Sequence, residues 1–418
     1  MGQRFIEIKG KVVDRESKTI LPYASIYIKD KSIGTVSNEA GEFDFKVPSV
    51  FAQDTIIISY LGFKNYVSKV SAVAGTTFFL EPTSTKLEEI EILDVSAEAI
   101  VRKAIQNIER NYPVSPYIAN AFYRDWKRRE SLDADSSMVS LMEAAVSIYD
   151  KGFSRVNSKK REQVFLTEMR RSLSTGKHLY NYLDFILAHD FVRHTESRNV
   201  GNIYSPFDFE HLKDYAIEDV LIQEGTKVYM ISATLSSKLG VYKIYIEAER
   251  YAFIRIDFKG HSSEKSFLGM ESVPSLKRTH HLMAVDNTLV FRKYKNLYFM
   301  SYMKLNWTTR TIGDTDGKQT DTRELFQELL INEVITENVS LAKDSLKFPM
   351  NYGLSLEKQV RPYNKKFWDE FNIVLDRPVN KDLLKSLEAI GKLDDQFVRQ
   401  RPDSTSKTKR SRKKNKAK

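Results

Sequence analysis

The sequence contains no cysteine in 418 residues. That absence excludes a disulfide framework, a thiolate zinc site, a cysteine nucleophile and an acylated-cysteine anchor in the chain as written. It selects no redox compartment, since cysteine-free proteins suit all of them. Long apolar runs are missing as well, and nothing approaches the roughly eighteen residues of a membrane-spanning helix. Histidine is scarce, with seven copies. Neither a Gly-x-Ser-x-Gly elbow, nor a Walker loop, nor a Gly-x-Gly-x-x-Gly turn occurs, which removes the common hydrolase and nucleotide-binding designs.

Charge of one sign is nearly balanced once it is located. The net charge is +10, but residues 404–418 hold eight of the 65 basic residues and no acid. Without them 57 basic residues face 55 acidic ones, so the folded body is close to neutral. The tail, with Lys409, Arg410, Arg412, Lys413 and Lys414, would be drawn to any polyanion: nucleic acid, anionic lipid or lipopolysaccharide phosphate. It lacks interleaved aromatics, and Ser, Thr, Lys and Arg cannot build a core, so residues 399–418 read as a disordered, solvated basic tail. A nucleic-acid partner is argued against by the neutral body.

What the chain does have is dense β punctuation at its start. Apolar and polar residues alternate in 24–29, with Pro22 just ahead, where no ladder N–H is required. The run Asn38-Glu39-Ala40-Gly41 reads as a hairpin turn, with Gly41 free to take a positive φ. Gly10 interrupts the first strand, residues 5–14, as a bulge or close-approach point. Phe43 and Phe45 share one strand face, Ile56-Ile57-Ile58 marks a central strand, and Thr77-Phe78-Phe79-Leu80 closes a small sandwich.

Three stretches carry a resemblance: Leu21-Pro22-Tyr23-Ala24-Ser25-Ile26-Tyr27-Ile28, Ile33-Gly34-Thr35-Val36-Ser37-Asn38-Glu39-Ala40-Gly41-Glu42-Phe43 and Asp54-Thr55-Ile56-Ile57-Ile58-Ser59-Tyr60-Leu61-Gly62-Phe63. Nearly position for position they resemble the carboxypeptidase-like regulatory domain of Bacteroidota cell-envelope proteins. That domain is a non-catalytic prealbumin-like sandwich, also found at the front of TonB-dependent outer-membrane transporters. The resemblance implies a fold and an envelope address, and no catalytic residues. A transporter itself is excluded by length, since too few residues remain for its barrel. The first strand starts almost at residue 1, without an apolar leader, so the export signal is expected to be missing from this chain. The expected location is periplasm or outer membrane, with cytoplasm as the alternative.

Beyond residue 82 the expected order is a linker strand and helix (83–113), a β-rich body (114–340) and a strap (341–398). Ser96 caps a helix whose stripe is Ile100, Val101, Ala104, Ile105 and Ile108, and Pro113 ends it. Candidate body strands are 138–149, 215–222, 227–235, 242–248, 252–258, 288–294, 297–308 and 326–335, while 155–212 reads as helical segments and loops. The fold class is therefore mainly β within α+β: an Ig/prealbumin-like sandwich, a linker helix, then a large curved antiparallel sheet or half-barrel with helical insertions. The order of these parts, with Ala121-Phe122-Tyr123-Arg124, Glu143-Ala144-Ala145-Val146-Ser147-Ile148-Tyr149 and a late Phe367-Trp368, also resembles a Bacteroidota family known only by its regulatory domain. The apolar face of such a sheet needs covering, and the strap is expected to cover it through Phe367, Trp368 and Phe371. Otherwise Ile244, Ile246, Ile254 and Ile256 would line an open cavity.

Candidate sites are few. His261-Ser262-Ser263-Glu264 matches the His-x-x-Glu of zinc carboxypeptidases, but no distant third histidine follows, so a zinc site is not expected. The pairs His189/His194 and His280/His281 read as hydrogen-bonded imidazoles. Glu143, in an apolar strand, needs a partner, and Arg124 is the expected one in a structural ion pair. Tyr180, Tyr182, Tyr204 and Phe207, in the least regular region, are the candidate ligand-binding aromatics. No catalytic residue, metal or cofactor is assigned. The expected function is a non-enzymatic envelope protein with an interaction or spacer sandwich and a body that binds a partner protein, a glycan or a lipid-like ligand. The alternatives are an envelope hydrolase of peptide or glycan with an unrecognised acid pair, and polyanion binding through the tail.

Overall fold

In a computed structural model the chain is described over residues 4–83, 95–131, 138–154, 162–173, 183–200, 203–263, 268–273, 277–313, 317–352, 354–375 and 381–400. Seven short strands open it: β1 (Phe5–Asp14), β2 (Ser25–Ile28), β3 (Gly34–Val36), β4 (Glu42–Pro48), β5 (Thr55–Ser59), β6 (Tyr66–Lys69) and β7 (Thr77–Leu80). They form two sheets, ordered β4-β1-β7 and β3-β2-β5-β6. Alternation puts Ile26, Ile28, Phe43, Phe45, Ile56 and Ile58 between the sheets, where they are fully buried. Gly10 is a close-approach point: a Cβ there would lie 2.2 Å from the Phe78 ring. Gly41 takes φ +75° in the turn that Asn38 holds, its Oδ1 accepting from the Ala40 and Glu42 amides.

The body is one open antiparallel sheet. Its strands are β8 (Tyr117–Ser131), β9 (Met138–Asp150), β10 (Gln163–Arg171), β13 (Leu212–Gln223), β14 (Thr226–Leu235), β15 (Gly240–Glu247), β16 (Ala252–His261), β17 (Gly269–Val273), β18 (Arg278–Tyr294), β19 (Leu297–Gly313) and β20 (Gln319–Ile335). A small hairpin, β11 (Asn199–Val200) and β12 (Ile203–Tyr204), stands apart. The order across the sheet is β10-β9-β8-β20-β19-β18-β16-β15-β14-β13, with β17 added on β18. β10 lies inside the stretch expected to be helices and loops; its charged sequence conceals an edge strand.

Each face of this sheet has its own cover. Tyr117, Ala119, Ala121 and Tyr123 of β8 point to an inner face with Val146, Ile244, Ile246, Phe253, Phe258 and Leu329. Helices α1 (Ala97–Gln106) and α2 (Ile108–Asn111) cover it through Ile100, Val101, Ala104 and Ile108, joined by α3 (Leu183–Leu187) through Leu183 and Ile186. Ser96 caps α1 by accepting from the Ala99 amide. Tyr112, just past α2, is fully buried and donates its hydroxyl to the Phe253 carbonyl at 2.6 Å.

The strap does not fill the inner face as expected. Its helices are α4 (Val339–Ser345), α5 (Lys365–Glu370), α6 (Lys381–Leu387) and α7 (Leu393–Arg399). Phe367, Trp368 and Phe371 pack on the outer face against Phe122, Tyr302 and Leu330, beside Tyr23 and Val36 of the sandwich. The physical reason is that the inner face is already occupied by the linker helix and by residues 183–200 and 203–212, while β8 and β20 present a second apolar patch outward. Met350 and Leu356 of the strap reach the inner core, and Tyr352 and Val360 pack against it.

Side chains of the strap, and Gln400 in the stretch expected to be a disordered tail, also close sheet edges. Gln400 accepts from the Arg171 amide at 2.9 Å and donates to the Met169 carbonyl at 2.8 Å, as a neighbouring strand would. Asn372 does the same on β4, accepting from the Lys46 amide at 2.8 Å and donating to its carbonyl at 3.1 Å. No helix among the described residues is long and apolar enough to cross a membrane.

Candidate functional site

The sandwich docks on the outer face of the body and leaves a cleft of about 220 Å³ between them. Because Ile26 and Ile28 of β2 point into the sandwich, Ser25 and Tyr27 must point out toward the cleft. Ser59 and Tyr60 join them from the end of β5. The body supplies Gln223 and Glu224 at the β13–β14 turn, Arg250 and Arg255 around the β15–β16 turn, and Arg292 and Tyr298 from β18 and β19. Most of this lining is polar or aromatic.

Several hydrogen bonds fix the two walls. Tyr27 donates to Glu224 Oε1 at 2.7 Å, and Asn65 reaches the same oxygen at 3.1 Å. Gln223 donates to the Ser59 hydroxyl at 3.1 Å. Arg292 donates to the Ser32 carbonyl at 2.7 Å and stands 5.2 Å from the centre of the Tyr27 ring. Gly34 is needed beside it, since a Cβ would lie 1.7 Å from the guanidinium. Burial, then the Glu224 carboxylate, pushes the Tyr27 hydroxyl far above its ordinary pKa, so it remains a donor. Burial lowers Arg292 to about 10, with Tyr27 opposing. Arg255 is paired with Asp257 at 2.8 Å, and Thr288 donates to the other oxygen of that carboxylate.

Such a docked domain has a recognisable sequence. Residues 8–92 match the CarboxypepD_reg-like domain family. The chain carries a CarboxypepD_reg-like domain. Its β2 and β5 thus form one wall of the cleft. No curated protein matches the sequence. Among solved structures, a domain designated an outer membrane lipoprotein-sorting protein domain from Vibrio parahaemolyticus is 10% identical. The match covers 58% of this chain and 94% of that one, with a TM-score of 0.23. A LolA superfamily protein from Nitrosomonas europaea is also 10% identical, with 57% and 94% covered and a TM-score of 0.18. Lipovitellin is 9% identical, with 64% and 30% covered and a TM-score of 0.27. These TM-scores do not establish a shared fold.

Polar clusters also lie outside the cleft among the described residues. On the outer face, beneath the strap and the edge of the CarboxypepD_reg-like domain, Arg124 and Glu143 lie directly opposite each other on β8 and β9 and pair at 2.7 Å. Arg124 also meets Glu328 at 2.6 Å and the Val374 carbonyl at 3.1 Å, while Arg170 meets Glu143. Burial raises the Glu143 pKa, but Arg170 and Arg124 outweigh it and hold the group below the ordinary value. At one end of the sheet Arg193 pairs with Asp150 at 2.7 Å and His194 with Glu162 at 3.0 Å. Buried Asp190 beside them is raised to about 6 by desolvation. On the surface Asp208, Glu210 and His211 converge, and Asp208 accepts from the Glu210 and His211 amides of its own turn.

The aromatic candidates are not brought together at the cleft. Tyr204 stacks on His211 with ring centres 3.9 Å apart, and Phe207 packs on Phe253 at 5.0 Å. Tyr180, Tyr182 and the tail residues Lys409, Arg410, Arg412, Lys413 and Lys414 lie outside the described residues. His189 is buried among Phe185, Phe191 and Trp307 and bonds the Phe185 carbonyl, which leaves it away from the His194–Glu162 pair. His280 bonds Thr311, and Glu264 of the His-x-x-Glu match is outside the described residues. The cleft residues Tyr27, Tyr60 and Arg292 were missed. The available signal was a large aromatic on the outward side of an otherwise clean strand alternation, at Tyr27.

Proposed function

We propose that this chain is a binding protein of the cell envelope, and that its ligand site is the cleft between the CarboxypepD_reg-like domain and the outer face of the body. The observation that carries the reading is that both units contribute convergent polar and aromatic side chains to one concavity, with Tyr27 and Tyr60 facing Gln223, Arg255 and Tyr298 across it. The resemblance of the sandwich to domains of envelope proteins supports the address. A volume of about 220 Å³ is below the roughly 300–1,000 Å³ of drug-sized sites, so the cleft takes one small ring or the end of a longer chain. Tyrosine faces flanked by Ser, Gln and Arg suit a hydroxylated ligand, a saccharide unit, better than an acyl chain. An apolar ligand would belong on the inner face, where Ile244, Ile246 and Ile256 are covered by the chain's own residues.

Thermal-shift screening of the full chain against monosaccharides tests this. A binder whose affinity falls about tenfold or more on Tyr60→Ala supports the cleft. Binders indifferent to Tyr60→Ala and Tyr298→Ala place the site elsewhere and sink the reading.

A further inference from the structure

Several enclosed arginines among the described residues have carboxylates. Arg124 has Glu143 and Glu328, Arg193 has Asp150, and Arg255 has Asp257. Arg292, in the wall of the cleft, is different. Its partners are the carbonyl oxygens of Ser32 and Ile33 and the ring of Tyr27, and no carboxylate stands within salt-bridge distance of it among the described residues. Carbonyls satisfy N–H groups but carry no net charge, so the half-buried guanidinium remains without a counter-charge.

Two of the three acids that line the same cleft are engaged elsewhere, and the third, Glu249, is exposed. Glu224 accepts from Tyr27 and Asn65, and Glu247 accepts from the amides of Glu249 and Arg250. Arg292 is nevertheless only half-buried, and the opening it has is toward the cleft. A retained, desolvated, unpaired cation facing a concavity is what a site for an anion requires before the anion arrives. Its depressed pKa agrees with that reading, since burial rather than a neighbouring charge dominates it.

We propose that the cleft binds a small hydroxylated ligand bearing an oxyanion, a carboxylate or a phosphate, whose negative charge is seated against Arg292. The proposal rests on the cleft being the ligand site, and adds the charge of what enters it. The hydroxyl-bearing part would lie along Tyr27, Tyr60 and Gln223, and the oxyanion would complete the pairing that every other enclosed arginine named above already has.

The test is isothermal titration of the full chain with glucuronate, glucose 6-phosphate and glucose. At least one of the two anions should bind about tenfold or more tightly than glucose, and which one does separates carboxylate from phosphate. Arg292→Gln should bring that anion down to the level of glucose, whereas Arg292→Lys, which keeps the charge, should retain part of the preference. Because Arg292 also bridges the two units through the Ser32 carbonyl, the melting temperature of Arg292→Gln serves to confirm that the variant is folded. Glucose binding as tightly as both anions, with Arg292→Gln unchanged, would overturn the proposal and leave the cleft itself standing. Failure of both anions to bind at about 10 mM would overturn it as well. Anion binding insensitive to both Arg292→Gln and Tyr60→Ala would remove the cleft reading along with the charge.

Discussion

The two faces of the large sheet are stabilised by different physics. The inner face is a continuous apolar surface covered by helices that precede or interrupt the strands, and its contacts are non-directional. The outer face mixes Phe122, Tyr302 and Leu330 with a buried row of Arg124, Glu143, Arg170 and Glu328, and it receives the sandwich and the strap. An apolar face accepts any well-shaped cover. A charged row accepts only a cover whose polar atoms land in register, which makes the outer face the one that specifies how the parts dock.

Deleting apolar volume on the inner face should have the largest effect. Phe253→Ala empties a fully buried site that touches Phe207, and should cost about 4 kcal/mol in chemical denaturation. On the outer face Glu143→Gln removes the shared counter-charge of Arg124 and Arg170, and should cost about 3 kcal/mol. A loss below about 0.5 kcal/mol, the usual bound for unimportant surface changes, would erase the distinction between the faces. Asn372→Ala strips two backbone bonds from the edge of β4 and should cost about 1–2 kcal/mol, with faster proteolytic release of the sandwich as the specific readout.

The smallest effect concerns pH. Asp190 is raised to about 6 in the fold, so its contribution favours the folded state below the ordinary carboxylate pKa and is lost as pH rises through about 6. Asp190→Asn should therefore melt above the parent at pH 8, by less at pH 5, and not at all below the ordinary carboxylate range. A constant difference across that window would mean that Asp190 is not the titrating group.

The sandwich was readable because its strands alternate cleanly and its turns carry Pro22, Asn38 and Gly41 where backbone geometry demands them. β15 and β16 were readable for the same reason. β8 was legible only through Arg124, expected to pair with Glu143, because both of its faces are covered: Asp125 looks like a surface residue in sequence, yet it is buried. β10 was hidden by Gln163, Glu168, Arg170 and Arg171, charges that an edge strand tolerates. The destination of the strap was misjudged since an aromatic run says that it must be covered, not which of two apolar patches covers it. Arg292 gave no signal, as its significance lies in the carboxylate that is not beside it.

The reach of Asn372 back to Lys46 spans 326 residues of chain. Synthesis runs from the N-terminus, so the sandwich can complete its own core long before its second anchor has left the ribosome. Until residue 372 emerges, β4 carries an open edge and the cleft has an unfinished frame. The proposed ligand capture would then depend on a chain that extends through Asn372, since a truncation before it removes this anchor without touching a cleft residue.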